Sequence, residues 1–400
     1  MPATPGGGPP VDDVVYLDHA ATTPLRPEVA EAMAPYLGGW FGNPSGSHRL
    51  ARQARRAVDE AREVVASVLG ADPGEIVFTS GGTEADNLAV LGPLAALEDR
   101  PAASLVCSAV EHPAVLEAAR AAAGGRWRGA RPVPLRVAPV DRAGLVDLDA
   151  LVEVLDDDVA VVSVMTANNE TGAVQPLDEV ERLVRRHARR AVLHTDAVQA
   201  APWLDLAVRC ARVDLVSVSA HKVGGPKGSG ALVVRRGTPL RPLVFGGAQE
   251  GGLRSGTHDV AAIVGLAAAL DAAAAARTLD GPRVAALTDR FRRALVSTVP
   301  GTRATGDPAS TLPGHCHVRF DGVDREEVLV LLDQAGVCAS AGAACASGAV
   351  EPSHVLSAMG LTPAECRGAV RFTLGPTTGP GDLDRALVAV DEAVTKLRTA

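Results

Sequence analysis

An open, mainly parallel α/β sheet flanked by helices, followed by a smaller α+β C-terminal domain, is the fold this sequence predicts. Three observations lead there. From about residue 50, short apolar runs of strand length alternate with helical patterns, which is the order of βαβ units. The run Val159–Met165 (VAVVSVM) is apolar but for Ser163 and mostly β-branched, as in a strand buried on both faces. After the Ala-rich stretch Ala261–Ala276 the alternation gives way to a different pattern, which marks a second domain.

The elements follow in order. Arg49–Leu69 carries apolar residues at helical spacing. Glu75–Thr79 (EIVFT) reads as a strand, Thr83–Leu97 as a helix, Ser104–Ser108 as a strand and Ala114–Ala123 as a helix. The strand Val159–Met165, the helix Leu177–His187 and the strands Ala191–Thr195 and Leu215–Ser219 continue the series. Ala261–Ala276 reads as a helix near a domain boundary. Beyond it come a helix at Val284–Val296, a strand at His315–Phe320, a helix at Arg325–Ala335 and a loop of small residues. The expected division is a disordered Gly/Pro-rich tail at 1–12, a large domain at 13–265 and a small domain at 266–400 that carries the small-residue loop. The N-terminal segment of the large domain is a candidate to pack on the small one.

Apolar residues make up 47% of the 400 and charged residues 22%, the balance of an ordinary globular chain with a sizeable core. Aromatics are only 3%, so Ala, Val and Leu must fill that core. A net charge of −8 argues against direct nucleic-acid binding. The arginines 185, 186, 189 and 190 read as the solvated face of a helix. Apolar stretches are interrupted too soon for a membrane span, and residues 1–10 lack the pattern of a secretory signal. Six scattered cysteines fit reduced thiols in a cytoplasmic setting.

Several chemically distinctive groups fall at strand ends, where open parallel sheets bind ligands. Thr79-Ser80-Gly81-Gly82-Thr83-Glu84 links a strand to a helix; glycines allow close approach, and the helix N-terminus offers N–H groups to a phosphate. Its plainer reading is a capped turn. Asp196, in HTDAVQ (194–199), offers a carboxylate to a pyridinium nitrogen, or simply caps a helix. Lys222, in SAHKVGGP (219–226), is placed to form an imine once desolvated, whereas most lysines are merely superficial. His112, after Glu111, can stack on a flat ring or be an ordinary loop residue. Cys345 is the one thiol in the small-residue run ASAGAACASG (339–348), either a mobile nucleophile or an inert cysteine in a turn. Together a phosphate cradle, a carboxylate, a stacking histidine and an amine are the equipment for pyridoxal phosphate.

The sequence resembles the cysteine desulfurases of the class V aminotransferase family, on the fold-type I scaffold of pyridoxal-phosphate enzymes, from Tyr16 to about Asp382. The resemblance is carried by YLDHAATTP (16–24), GNPSGSH (42–48), FTSGGTEADN (78–87), NNETG (168–172), HTDAVQ (194–199), SAHKVGGPKG (219–228), GGAQEGGLRSGT (246–257), EPSHVL (351–356) and RFTLG (371–375). The stretch around Cys345 looks like the long-loop branch, group I. The resemblance implies that Lys222 binds the cofactor, that Asp196 pairs with its ring nitrogen and that His112 stacks on the ring and takes part in catalysis. It implies ring contacts for Asn169 and Gln199 and phosphate contacts for Gly82, Thr83, Ser219 and His221. Thr257 is expected to reach in from a second subunit of a homodimer. Asn43 and Arg371 are expected to orient L-cysteine, Arg371 by a bidentate grip on its carboxylate. Cys345 is the expected persulfide-forming nucleophile, which passes sulfur to an acceptor protein for iron–sulfur cluster assembly or thiolation. No resident metal is expected; the resemblance leaves room only for transient ligation of an acceptor's iron–sulfur cluster by Cys345.

Three departures accompany the resemblance. Members often read GSAC where this chain has Gly342-Ala343-Ala344-Cys345, and group I members often carry Asn at the position of His19. Cys338 is an extra thiol, expected to be buried and inert at a strand end. His315-Cys316-His317 invites a metal reading, but strand alternation turns Cys316 away from both histidines. The competing functions are a selenocysteine lyase, another class V aminotransferase, which has no need of Cys345, and a non-catalytic sulfur-carrier scaffold, against which Lys222 and Cys345 both argue.

Overall fold

A computed structural model describes residues 14–97, 103–127, 132–342 and 352–399. The expected tail at 1–12 and Cys345 lie outside the described residues. In chain order the strands are β1 (Val15–Tyr16), β2 (Ile76–Thr79), β3 (Ser104–Ser108), β4 (Leu135–Ala138), β5 (Val159–Ser163), β6 (Val192–Asp196), β7 (Leu215–Ser219), β8 (Gly230–Val234), β9 (Thr302–Ala304), β10 (His315–Phe320), β11 (Val337–Cys338) and β12 (Ala369–Thr373). Two compact units emerge from the contacts. Among the described residues, the larger comprises those within Thr22–Asn169 and Ala173–Thr278; the smaller comprises 14–21, Glu170–Gly172, 279–342 and 352–399.

The larger unit is built on a seven-stranded sheet of order β2-β8-β7-β6-β5-β3-β4. From β7 to β4 the pairings are parallel, whereas β8 runs antiparallel to both β7 and β2. Two successive reversals restore the direction of β2. Its carboxyl end therefore emerges at the same edge as those of β3, β5, β6 and β7. Every residue of β3, β5, β6 and β7 is buried, polar ones included, as expected of parallel strands covered on both faces. Leu, Val and Ala from the helices Gly82–Ala96 and Pro113–Ala123 pack against β3 and β5; each fully buried Val or Leu contributes roughly 1.5–3 kcal/mol.

Several boundaries differ from the sequence expectation for local reasons. Glu75 belongs to a 3₁₀ turn, Pro73–Glu75, because its carboxylate folds back to accept the Asp72 amide in a capping box. The two helices expected at 261–276 and 284–296 are one 39-residue helix, Val260–Thr298, which runs through Pro282. Proline removes only one helical hydrogen bond. Buried Val284, Phe291 and Leu295 keep the following turns in register. By length and composition alone this helix could cross a membrane, but more than half of its most apolar stretch is buried within the protein, as in a core helix.

The smaller unit holds an antiparallel sheet, β12-β10-β9, and the parallel pair β1-β11. Phe291 and Phe372 meet edge to face at 5.4 Å in its core. His315, Cys316 and His317 are all buried on β10, and His317 stands opposite Arg371 of β12. Cys338 departs from expectation. It is partly exposed rather than buried, because β11 is two residues long and pairs only with β1. Burial, Asp333 and Asp18 still push its thiol upward, which keeps it protonated and weakly nucleophilic.

Candidate active site

A cavity of about 200 Å³ opens where β2, β3, β5, β6 and β7 end. The link after β2 turns through Gly81, whose φ of +145° suits only glycine, and enters the helix Gly82–Ala96. No side chain caps this helix. Its first residues, Gly82 and Thr83, line the cavity, and a helix start of this kind supplies the partial positive charge that an anion seeks. A Cβ on Gly82 would meet Val198 Cγ2 at 2.9 Å, so the approach is tight on the protein side already. Ser219 and His221 complete this end. His221 Nδ1 lies 3.2 Å from Thr22 Oγ1; burial, then Lys222 and Lys227, pull its pKa down to about 4.

The segment after β3 places His112 as the N-cap of the helix Pro113–Ala123. Its Nδ1 accepts the Ala114 amide at 3.1 Å, so in the neutral ring the proton sits on Nε2 and the ring orientation is fixed. Asp196 ends β6 and is 5% exposed. Its Oδ1 accepts the Val198 amide at 2.9 Å. Burial raises its pKa, while His112, that amide and Lys222 favour the anion. Lys222 closes a 3₁₀ turn, Ala220–Lys222, directly after β7. Asn169 and Gln199 line the same cavity.

Nine residues singled out from the sequence thus share one cavity: Gly82, Thr83, His112, Asn169, Asp196, Gln199, Ser219, His221 and Lys222. Met165, Val198 and Asp86 also line it, and the sequence reading passed over all three. Asp86 had a signal: it sits four residues after Gly82, on the same helix face. Asn43 and Thr257 are exposed and lie outside the cavity lining; the Asn43 carboxamide accepts the Ser45 amide at 3.0 Å. Arg371 belongs to the smaller unit. It is buried there, with Nη2 2.7 Å from Asp18 Oδ1 and Nη1 3.4 Å from the Gly342 carbonyl.

The donor set fits a phosphorylated pyridine aldehyde. An uncapped helix N-terminus suits the phosphate, a buried carboxylate suits a protonated ring nitrogen, and an amine suits the aldehyde. The aminotransferase class-V family model matches residues 15–385. The chain belongs to the aminotransferase class-V family. Among class-V proteins it is 41% identical to the cysteine desulfurase IscS of Dictyoglomus turgidum over 385 residues, covering 96% of this chain and 95% of that one. It is 40% identical to the cysteine desulfurase NifS of Azotobacter vinelandii, covering 96% and 93%. The solved structure of DndA from Streptomyces lividans superposes with a TM-score of 0.75 at 35% identity, covering 90% of this chain and 99% of that one. The class-V membership agrees with the mainly parallel sheet and with a pyridoxal-phosphate enzyme.

Proposed function

We propose that this class-V chain is a cysteine desulfurase that converts L-cysteine to L-alanine and stores the sulfur as a persulfide on Cys345. The observation that carries the reading is the convergence of Lys222, Asp196, His112 and the uncapped Gly82–Thr83 helix start on one cavity. When bound, pyridoxal phosphate supplies an electron sink for the substrate's α-carbon. Gly82, Thr83, Ser219 and His221 would hold its phosphate. Asp196 would pair with the ring nitrogen, and His112, Asn169 and Gln199 would fix the ring. Lys222 would anchor the cofactor and afterwards move a proton at the substrate α-carbon, with His112 or His221 as a further proton carrier. Arg371 would grip the substrate carboxylate, assisted by Asn43.

Cys345 acts last. Its thiolate attacks the substrate sulfur, the carbon–sulfur bond breaks, and the balance is thiol plus L-cysteine giving persulfide plus L-alanine. The persulfide sulfur then passes to an acceptor protein. A homodimer, with Thr257 reaching the phosphate end of a second copy's cavity, completes the reading. Free-thiol chemistry of this kind suits a reducing, cytoplasmic setting. The deciding experiment is an assay of alanine and sulfide release from L-cysteine with pyridoxal phosphate and a reductant. Equimolar release is expected from the parent; its absence from a fully cofactor-loaded protein would refute the proposal.

A further inference from the structure

Behind the cavity, buried polar side chains of the larger unit form a chain. Glu111 accepts hydrogen bonds from Ser108 Oγ at 2.5 Å, the Met165 amide at 2.8 Å and Ser163 Oγ at 3.3 Å. Ser163 Oγ also meets His194 Nδ1 at 2.8 Å, and His194 Nε2 meets Ser217 Oγ at 2.9 Å. The next group is Asp86. Its Oδ1 stands 3.6 Å from His194 Nε2, is fully buried and has no hydrogen-bond partner. Asp86 reaches the cavity wall beside Asp196. One oxygen of each carboxyl and one ring nitrogen of His112 all lie within 4.8 Å of one another.

Two buried carboxyls this close cannot both ionise without a large cost, so their neighbours decide which one keeps the charge. Burial raises the Asp196 carboxyl as well, but it is opposed by His112, by the amide donor at 2.9 Å and by Lys222, which favour the anion. Asp86 is faced by Asp196, Glu111, His194 and the Ser217 hydroxyl. Burial, then the Asp196 charge, push its carboxyl well above the usual range, and only Ser217 opposes strongly enough to register. His194 offers no cation, because burial pulls it down to about 3. Glu111 is pushed up to about 8 by burial and so also holds its proton at neutral pH.

We propose that Asp86 is a positioning residue carried as the neutral acid, so that Asp196 is the ionised member of the pair and presents one negative charge to the cavity. The charge state stands on the protein alone. Its purpose rests on the pyridoxal-phosphate reading, in which one protonated ring nitrogen needs one carboxylate.

The test compares the full, cofactor-free chain with Asp86→Asn and Asp196→Asn by infrared spectroscopy at about pH 7. The expected result is a neutral-carboxylic-acid C=O band that is present in the parent, retained in Asp196→Asn and diminished by one group in Asp86→Asn. A band diminished by one group in Asp196→Asn but unchanged in Asp86→Asn would place the proton on the wrong residue and overturn the proposal, Glu111 contributing equally throughout. An unchanged band in both variants would do the same, since both carboxyls would then be charged. If Asp86→Asn fails to fold, the parent and Asp196→Asn still decide: Glu111 contributes equally to both, so the band must have the same intensity in the two, and a loss of one group in Asp196→Asn overturns the proposal. In a second arm, pyridoxal-phosphate affinity should fall about tenfold further in Asp196→Asn than in Asp86→Asn; equal losses would overturn the positioning role. If the parent binds no pyridoxal phosphate, the cofactor reading fails on its own, while the infrared result still settles the charge on Asp86.

Discussion

Lys222 and Cys345 carry separable halves of the proposed chemistry. Lys222→Ala should remove the yellow colour of the cofactor-bound protein and lower turnover by several orders of magnitude; a spectrum and an alanine assay check both. Cys345→Ser should still bind pyridoxal phosphate, yet it should release almost no alanine, since a hydroxyl is a far weaker nucleophile than a thiolate. Cys338→Ser should keep nearly full activity, and mass spectrometry after brief exposure to L-cysteine should find the added sulfur on Cys345 alone. Sulfur on Cys338 would mean that the wrong thiol had been chosen. At this scale much was legible. Lys222 and His112 follow a strand and Asp196 ends one, and each stands out from the strand's apolar residues, so their chemistry shows in the sequence. Asp86 was passed over despite its spacing from Gly82, because an acidic residue inside a helix ordinarily reads as part of a solvated face, and only burial against β6 and β7 makes it unusual.

The segment 246–257 shows how one buried carboxylate can fix a loop. Ala248 and Glu250 adopt left-handed backbone conformations with φ of 58° and 52°, which costs non-glycine residues energy. Glu250 compensates. Its carboxylate takes a bidentate pair from Arg62 at 2.6 and 2.9 Å, the His258 ring at 2.6 Å and the Phe78 amide at 2.8 Å. Arg254 also pairs with Glu84 at 2.9 Å, which ties the loop to the helix that opens the cavity. Burial alone would raise the Glu250 pKa, but His258, Arg62 and the amide overcome it and pull it down to about 2 from 4.5. A depressed carboxyl contributes stability that is present above about pH 4.5 and lost as the pH falls towards 2. Glu250→Gln should therefore cost roughly 3 kcal/mol near pH 7. The gap to the parent should close at about pH 2, as read from denaturant unfolding across that range. Gly230 of β8 is the steric counterpart: a Cβ there would stand 2.6 Å from the Val218 carbonyl and 2.8 Å from Gly81 Cα, both backbone. Gly230→Ala should lower stability by about 2–3 kcal/mol and weaken pyridoxal-phosphate binding, because the glycine turn has to move.

On the scale of the whole molecule, the larger unit leaves Phe41 and Phe245 75% and 70% exposed. Apolar surface of this kind fits cover by a second copy. A two-fold homodimer is expected in light scattering, and Phe245→Asp should shift it towards monomer with a parallel loss of activity. An active monomer at assay concentration would contradict the sharing of Thr257.

The sequence by itself determined the alternating core. β3, β7 and β10, together with the helices Arg49–Leu69 and Leu177–His187, begin and end where their apolar patterns do, because strands buried on both faces and amphipathic helices write their burial into residue order. It also singled out nine of the residues that line the cavity, because chemically distinctive residues fall at strand ends. Only the tertiary structure decided what depends on distant neighbours. β8, with two antiparallel pairings, turns β2 back towards the cavity edge. The helix Val260–Thr298 continues through Gly281-Pro282 because its flanking turns are packed. Asp86 becomes a buried partner of Asp196 because helix and sheet converge there. A local pattern records how each segment meets its own core, whereas pairing direction, helix continuity and the charge of a buried carboxyl are set by contacts made across the chain.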